Sequence, residues 1–139
     1  MNIFDLQDNI FNYFLSDSNL VTDLSITDIS DMDYVKKKIR TSFGDPTLLT
    51  TDDDSIFPFF ECSFVTSVAT TNNYLLNKQP LQIRIYYLFE TDKKTLAKAI
   101  DKILKTNFED MQIISQGEYS TGAKDIYCWR MTYKPFAFS

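Results

Sequence analysis

The strongest constraint on this chain is the place where its apolar period changes. The first segment repeats at helical spacing. From Phe59 the apolar residues alternate, between Asp92 and Lys105 they return to helical spacing, and after Asn107 they alternate again to the C-terminus. A period of two gives a strand with one face buried, and a period near 3.6 gives a helix with one apolar stripe. Strands that alternate in this way belong to an antiparallel sheet whose covering helices lie on one side.

In the N-terminal segment Ile3, Leu6, Ile10 and Phe14 form the stripe, widened by Phe11 and Leu15, with Asn2 as cap and Asp5 and Asp8 suiting the helix dipole. The cluster Ser16-Asp17-Ser18-Asn19 is expected to end it. Leu20, Leu24, Ile26 and Ile29 then sit among Asp, Ser and Thr, a mixture that fits a short strand or an irregular edge. A second helix, capped by Ser30 or Asp31, carries Met32, Val35, Ile39 and Phe43 on one side and Lys36, Lys37 and Arg40 on the other, closed by Gly44 and Pro46. Residues 45–56 have little periodicity and read as a mobile loop.

The alternating runs place Phe60, Cys62, Phe64 and Val68 on one face of the first strand, and Leu81, Ile83, Ile85, Tyr87 and Phe89 on one face of the second. These two pair as a hairpin. Thr91 or Asp92 caps the best helix, with Leu96, Ile100, Ile103 and Leu104 buried. Met111, Ile113 and Ile114 begin a third strand, Ser120-Thr121-Gly122 turns it, and Tyr127 to Tyr133 form a fourth that Pro135 ends, leaving the tail Phe136-Ala137-Phe138. Residues 1–139 thus make a single α+β domain: two layers, an antiparallel sheet of four strands or more, and helices packed on one face. The other sheet face carries Phe59, Val65, Tyr86, Leu88, Ile114 and Ile126. Either the 20–56 region folds over it or a partner does.

Composition limits the chemistry. There is no histidine among the 139 residues, so the usual proton-transfer group, a Cys–His pair and a histidine-containing zinc site are excluded. Three glycines cannot build a glycine-rich phosphate cradle. Cys62 and Cys128 lack CxxC spacing and read as buried free thiols. The acidic start and the lack of a long apolar run point to a chain that stays in the cytoplasm, outside membranes. Residues 1–60 carry eleven aspartates against four basic side chains, a balance of −7, while residues 61–139 balance at +2. An acidic half argues against wrapping nucleic acid by phosphate neutralisation.

Each candidate site has a plain reading beside the sharp one. Asp52-Asp53-Asp54 lacks the alternating ligands and glycine of a calcium loop and reads as a solvated acidic loop. Lys36-Lys37-Lys38 reads as a solvated helix face. Glu61 and Arg84 are expected to form a cross-strand ion pair on the outer face, and Trp129 amid Tyr127 and Tyr133 reads as core before it reads as a stacking platform. No catalytic residue, cofactor site or metal site emerges.

The run from Phe59 to Phe138, with its strand–strand–helix–strand–strand order, the segment QIRIYYLFE followed at once by a helix, and the closing IYCWRMTYKPF, resembles the tail-terminator (tail-completion) proteins of tailed bacteriophages. The resemblance implies a non-enzymatic virion protein, made in the host cytoplasm and placed at the head–tail junction. It would form a homo-oligomer, a hexameric ring that caps the tail tube, binds the head-completion or stopper protein, and lets DNA through the lumen without specific binding. On this reading Tyr86, Leu88, Ile126, Phe136 and Phe138 are subunit contacts, and Asp52, Asp53 and Asp54 face the lumen. A neighbouring neck connector (stopper or adaptor) and an acidic inhibitor or antitoxin-like binding protein are the alternatives.

Overall fold

The computed structural model describes residues 3–65, 78–134 and 136–137. Among the described residues four helices, α1 (Ile3–Leu15), α2 (Ser18–Asp23), α3 (Met32–Lys38) and α4 (Glu90–Asn107), accompany seven strands. These are β1 (Ile39–Arg40), β2 (Phe59–Phe64), β3 (Lys78–Gln79), β4 (Leu81–Tyr87), β5 (Ile113–Tyr119), β6 (Tyr127–Tyr133) and β7 (Phe136–Ala137). Five of them form one sheet in the order β1-β2-β4-β6-β5. The α+β class and the helices on one face are as the periodicity predicts. The sheet is mixed, however, because β1 runs parallel to β2, with Ile39 opposite Phe60 and Arg40 opposite Glu61.

The helical layer and the inner sheet face share the larger core. Leu6, Ile10 and Phe14 of α1, Leu20 of α2, Val35 of α3 and Leu96, Ile100, Ile103 and Leu104 of α4 pack against Phe60, Cys62, Phe64, Leu81, Ile83, Ile85, Tyr87, Met131 and Tyr133. The α4 stripe is buried as expected, as are Leu6, Ile10 and Phe14 of α1, with Phe14 edge-on to Phe60 at 5.1 Å, whereas Met32 of the α3 stripe is exposed. The Tyr133 hydroxyl donates to Asp101 of α4 at 2.9 Å, tying β6 to the helix at a polar rim.

Four expectations need correction. The Ser16–Asn19 cluster does not simply stop a helix: the Asp17 carboxylate accepts from Leu20 N–H at 2.9 Å and caps α2, which replaces the expected strand or edge. Helix α3, capped by Asp31, ends at Lys38, since Ile39 has extended backbone and pairs with β2 instead of extending the stripe to Phe43. Helix α4 begins at Glu90 with no side-chain cap, Phe89 occupying the cap position. The fourth strand ends at Tyr133, before Pro135, as expected, and the tail beyond it pairs β7 with β3 in a separate two-stranded sheet. Residues 45–56 are not a shapeless loop but hold two short 3-10 turns, Pro46–Leu48 and Asp54–Ile56. Val68, placed on the first strand by its spacing, lies outside the described residues.

Candidate interaction surface

The outer sheet face is built of cross-strand rows, because residues opposite one another in paired strands point to the same side. One row is apolar: Phe59, Tyr86 and Cys128 lie opposite one another across β2, β4 and β6, with Tyr119 of β5 at the end. The next is charged: Arg40, Glu61, Arg84 and Arg130, ending at Gly117. A third, Ser63, Gln82, Thr132 and Ser115, is polar and uncharged.

A strap, residues 41–58, covers the apolar row. Its Leu49, Ile56 and Phe57 pack on Phe59, Tyr86, Ile126 and Cys128, a second core separate from the helical one. Phe59 stacks on Tyr86 at 5.0 Å. Of the two ways to cover the outer face, the chain itself supplies the first over this row. Tyr86 and Ile126, expected as subunit contacts, are 2% and 3% exposed, so in this state they face the strap and cannot meet another subunit. Leu88 is half-buried beside them, next to Phe89, which is 67% exposed. Ile114 stands at an irregularity in β5 and is also exposed, as is Tyr119, whereas the exposed Tyr127 lies on the helical side of the sheet, stacked on Tyr87. The Phe136 backbone pairs with Gln79, while its side chain and Phe138 lie outside the described residues.

Two charged side chains that the patterns assign to solvent hold the strap. Lys38, expected on a wet helix face, is fully buried and donates to the carbonyls of Ser55 at 3.3 Å and Pro58 at 3.2 Å. Burial lowers its pKa, partly offset by Asp92 and Asp53. Glu61 lies opposite Arg84 as expected, yet the pair makes no ion contact among the described residues. Its Oε2 accepts from Gly44 N–H at 2.8 Å, which fixes the start of the strap, and Oε1 has no hydrogen-bond partner. A cavity of about 20 Å³ adjoins it, lined by Arg40, Gly44, Asp45, Glu61 and Tyr86 among others, room for about one water. Burial raises the Glu61 pKa, opposed by the Gly44 N–H and the neighbouring Tyr86, Arg84 and Arg40.

Two of the four aspartates of the strap are architectural. Asp45 accepts from Thr47 N–H at 3.0 Å and from its hydroxyl at 2.7 Å, and Asp53 accepts from both groups of Ser55 in the same way. Asp28 repeats the pattern with Ser30. With Asp17 and Asp31 at helix caps, five of the eleven aspartates before residue 61 close turns or helix ends. Asp52, Asp53 and Asp54 are all exposed at the tip.

The remaining candidates settle into packing. Trp129 is half-buried against the larger core, with the Lys93 ammonium 4.7 Å from its ring. Both cysteines are free and buried, Cys62 in the inner core and Cys128 under the strap, where burial pushes its pKa up to about 12. Among the described residues no three His, Cys, Asp or Glu side chains group as metal ligands, and no helix is long and apolar enough to cross a membrane. No family model, no curated protein and no solved structure matches the chain.

Proposed function

We propose that this chain is a structural assembly protein that joins copies of itself into a ring, and that the ring is the hexameric terminator of a phage tail tube. It would bind the tube on one side and a head-completion or stopper protein on the other, at the head–tail junction, with DNA passing through the lumen unheld. The observation that carries this reading is the shape of the sheet's two ends. At one end β5 is a seven-residue edge strand with Ile114 and Tyr119 exposed; at the other stand the two residues of β1 beside the strap. Exposed edge backbone is a template for pairing with another chain, and β5 carries one formal charge, Glu118, and neither lysine nor proline to discourage it.

A ring is closed by a head-to-tail contact between two different surfaces of each subunit, and opposite sheet ends suit that geometry. The likeness of strand and helix order to tail terminators, with α1 in the expected place, supplies the tail-specific part. In such a ring the contacts shift from the buried Tyr86 and Ile126 to Leu88, the adjacent exposed Phe89, and Tyr119 at the outer end of the edge strand. The exposed Asp52, Asp53 and Asp54 suit a lumen past which DNA slides.

The test is native mass spectrometry of the protein alone and negative-stain imaging of the protein mixed with tail tubes. Sixfold rings at tube ends are the expected result. Bare tube ends together with a species that stays monomeric would overturn the reading.

A further inference from the structure

The charged row of the outer face is unbalanced. Arg84 and Arg130 stand directly opposite each other on neighbouring strands, with backbones about 5 Å apart, a like-charge pairing that destabilises a sheet. Neither makes an ion pair among the described residues. The nearest carboxylate in the row, Glu61, is buried and engaged with Gly44. Glu61 is thus the one carboxylate in a row with three arginines, acting on Arg84 without forming an ion pair, and Arg130 has no carboxylate opposite it.

Their forks are held in place. Arg84 Nε donates to Gln82 Oε1 at 2.8 Å, and the Gln82 amide donates in turn to the Thr132 hydroxyl at 3.1 Å. The Arg84 guanidinium lies 3.9 Å from the Phe43 ring centroid, and that of Arg130 lies 4.1 Å from Tyr119. Stacking on a ring orients a guanidinium while leaving its edge donors free. Both arginines are partly exposed, and Gly117, opposite Arg130, would have nothing within 4 Å of an added Cβ, so the approach is open.

We propose that Arg84 and Arg130 form a binding site for a phosphate-type oxyanion on the outer face of the sheet. A tetrahedral oxyanion offers enough oxygens to satisfy two forks from adjacent strands, whereas a carboxylate is used up by one. Binding removes the repulsion between the two arginines. The site does not rest on the ring reading, although Tyr119 and Gly117 belong to the edge strand β5 and Phe43 to the strap, and its test reads the arginines and not the oligomeric state. Its phosphate can be a free ion or a group of a polynucleotide backbone, and the experiment separates these.

Arginine Nε–H signals are followed by NMR while inorganic phosphate is titrated at constant ionic strength against chloride, with a second titration using a short oligothymidylate. Saturable shifts at Arg84 and Arg130 are expected with phosphate, weakened roughly tenfold or more in Arg84→Gln and Arg130→Gln, as loss of a charged hydrogen-bond donor implies. Lys98→Gln, an equal charge change on an exposed position of α4 in the helical layer, should leave them unchanged. Arg130→Lys should lose most of the effect, since it keeps the charge and not the fork. Tighter binding of the oligomer with the same arginine dependence supports the site and assigns its source to nucleic acid. Shifts that chloride reproduces, or that persist in both glutamine variants, overturn it.

Discussion

The two cores of this protein are made by different means. The inner one joins long regular elements, so its residues repeat at fixed periods and its stripes can be read from their spacing. The outer one joins a sheet face to an irregular strap, which is held by Asx turns and by two buried charges, Lys38 and Glu61. Burying an ion without a counter-ion is unfavourable, and opening the strap returns both groups to water. The expectation is that the inner core carries global stability and that the outer core opens on its own as a cover.

Substitutions can break or sharpen that contrast. Ile100→Ala, in the middle of the fully buried α4 stripe, should lower global stability by about 2–5 kcal/mol, measured by urea unfolding. A loss below about 1 kcal/mol would show that the helical layer is not the main core. Ile56→Ala, at a half-buried strap position, should reduce global stability by only about 1 kcal/mol while speeding hydrogen exchange through the strap.

The smallest effect expected is at Glu61. Its folded pKa is raised, so between the ordinary carboxylate pKa and the folded value the native state binds more protons than the unfolded chain. Stability from this group then rises as pH falls through that window. The groups facing it are Arg40 from β1, Arg84 and Tyr86 from β4, Cys128 from β6 and Asp45 from the strap. None of these changes charge in mildly acidic solution: burial raises the Tyr86 and Cys128 pKa values, and the bond from Thr47 lowers that of Asp45. Glu61→Gln should be slightly more stable than the parent at neutral pH, and the gap should close on acidification. A gap that widens instead would mean that the carboxylate is a net stabilising latch.

How far the fold could be read follows from the same division. The α1 and α4 stripes, the alternation of β2, β4 and β6 and the turn at Gly122 were legible, since each rests on periodicity or on a positive φ. The strap was not, because Leu49, Ile56 and Phe57 are spaced by no regular period and its cover arises from tertiary contact. Its turns did leave a local signal in Asp45-Pro46-Thr47 and Asp53-Asp54-Ser55, an aspartate two residues before a hydroxyl. Lys38 and Glu61 gave no signal, since a lysine run and a charge between apolar residues look alike whether wet or buried. For the candidate surface, spacing put Tyr86 and Ile126 on the outer face correctly but could not tell a face covered by the chain itself from one left for a neighbour.

The most direct test of a separately held cover uses the two thiols, one in each core. Trapping with a thiol reagent under native conditions, in single-cysteine variants across low urea, reads the opening of each core separately. Cys128 should react at least roughly tenfold faster than Cys62, with little dependence on urea, because local opening exposes little surface. Equal rates with the same steep urea dependence would mean that both cores open only together, and the strap would then be part of one indivisible fold.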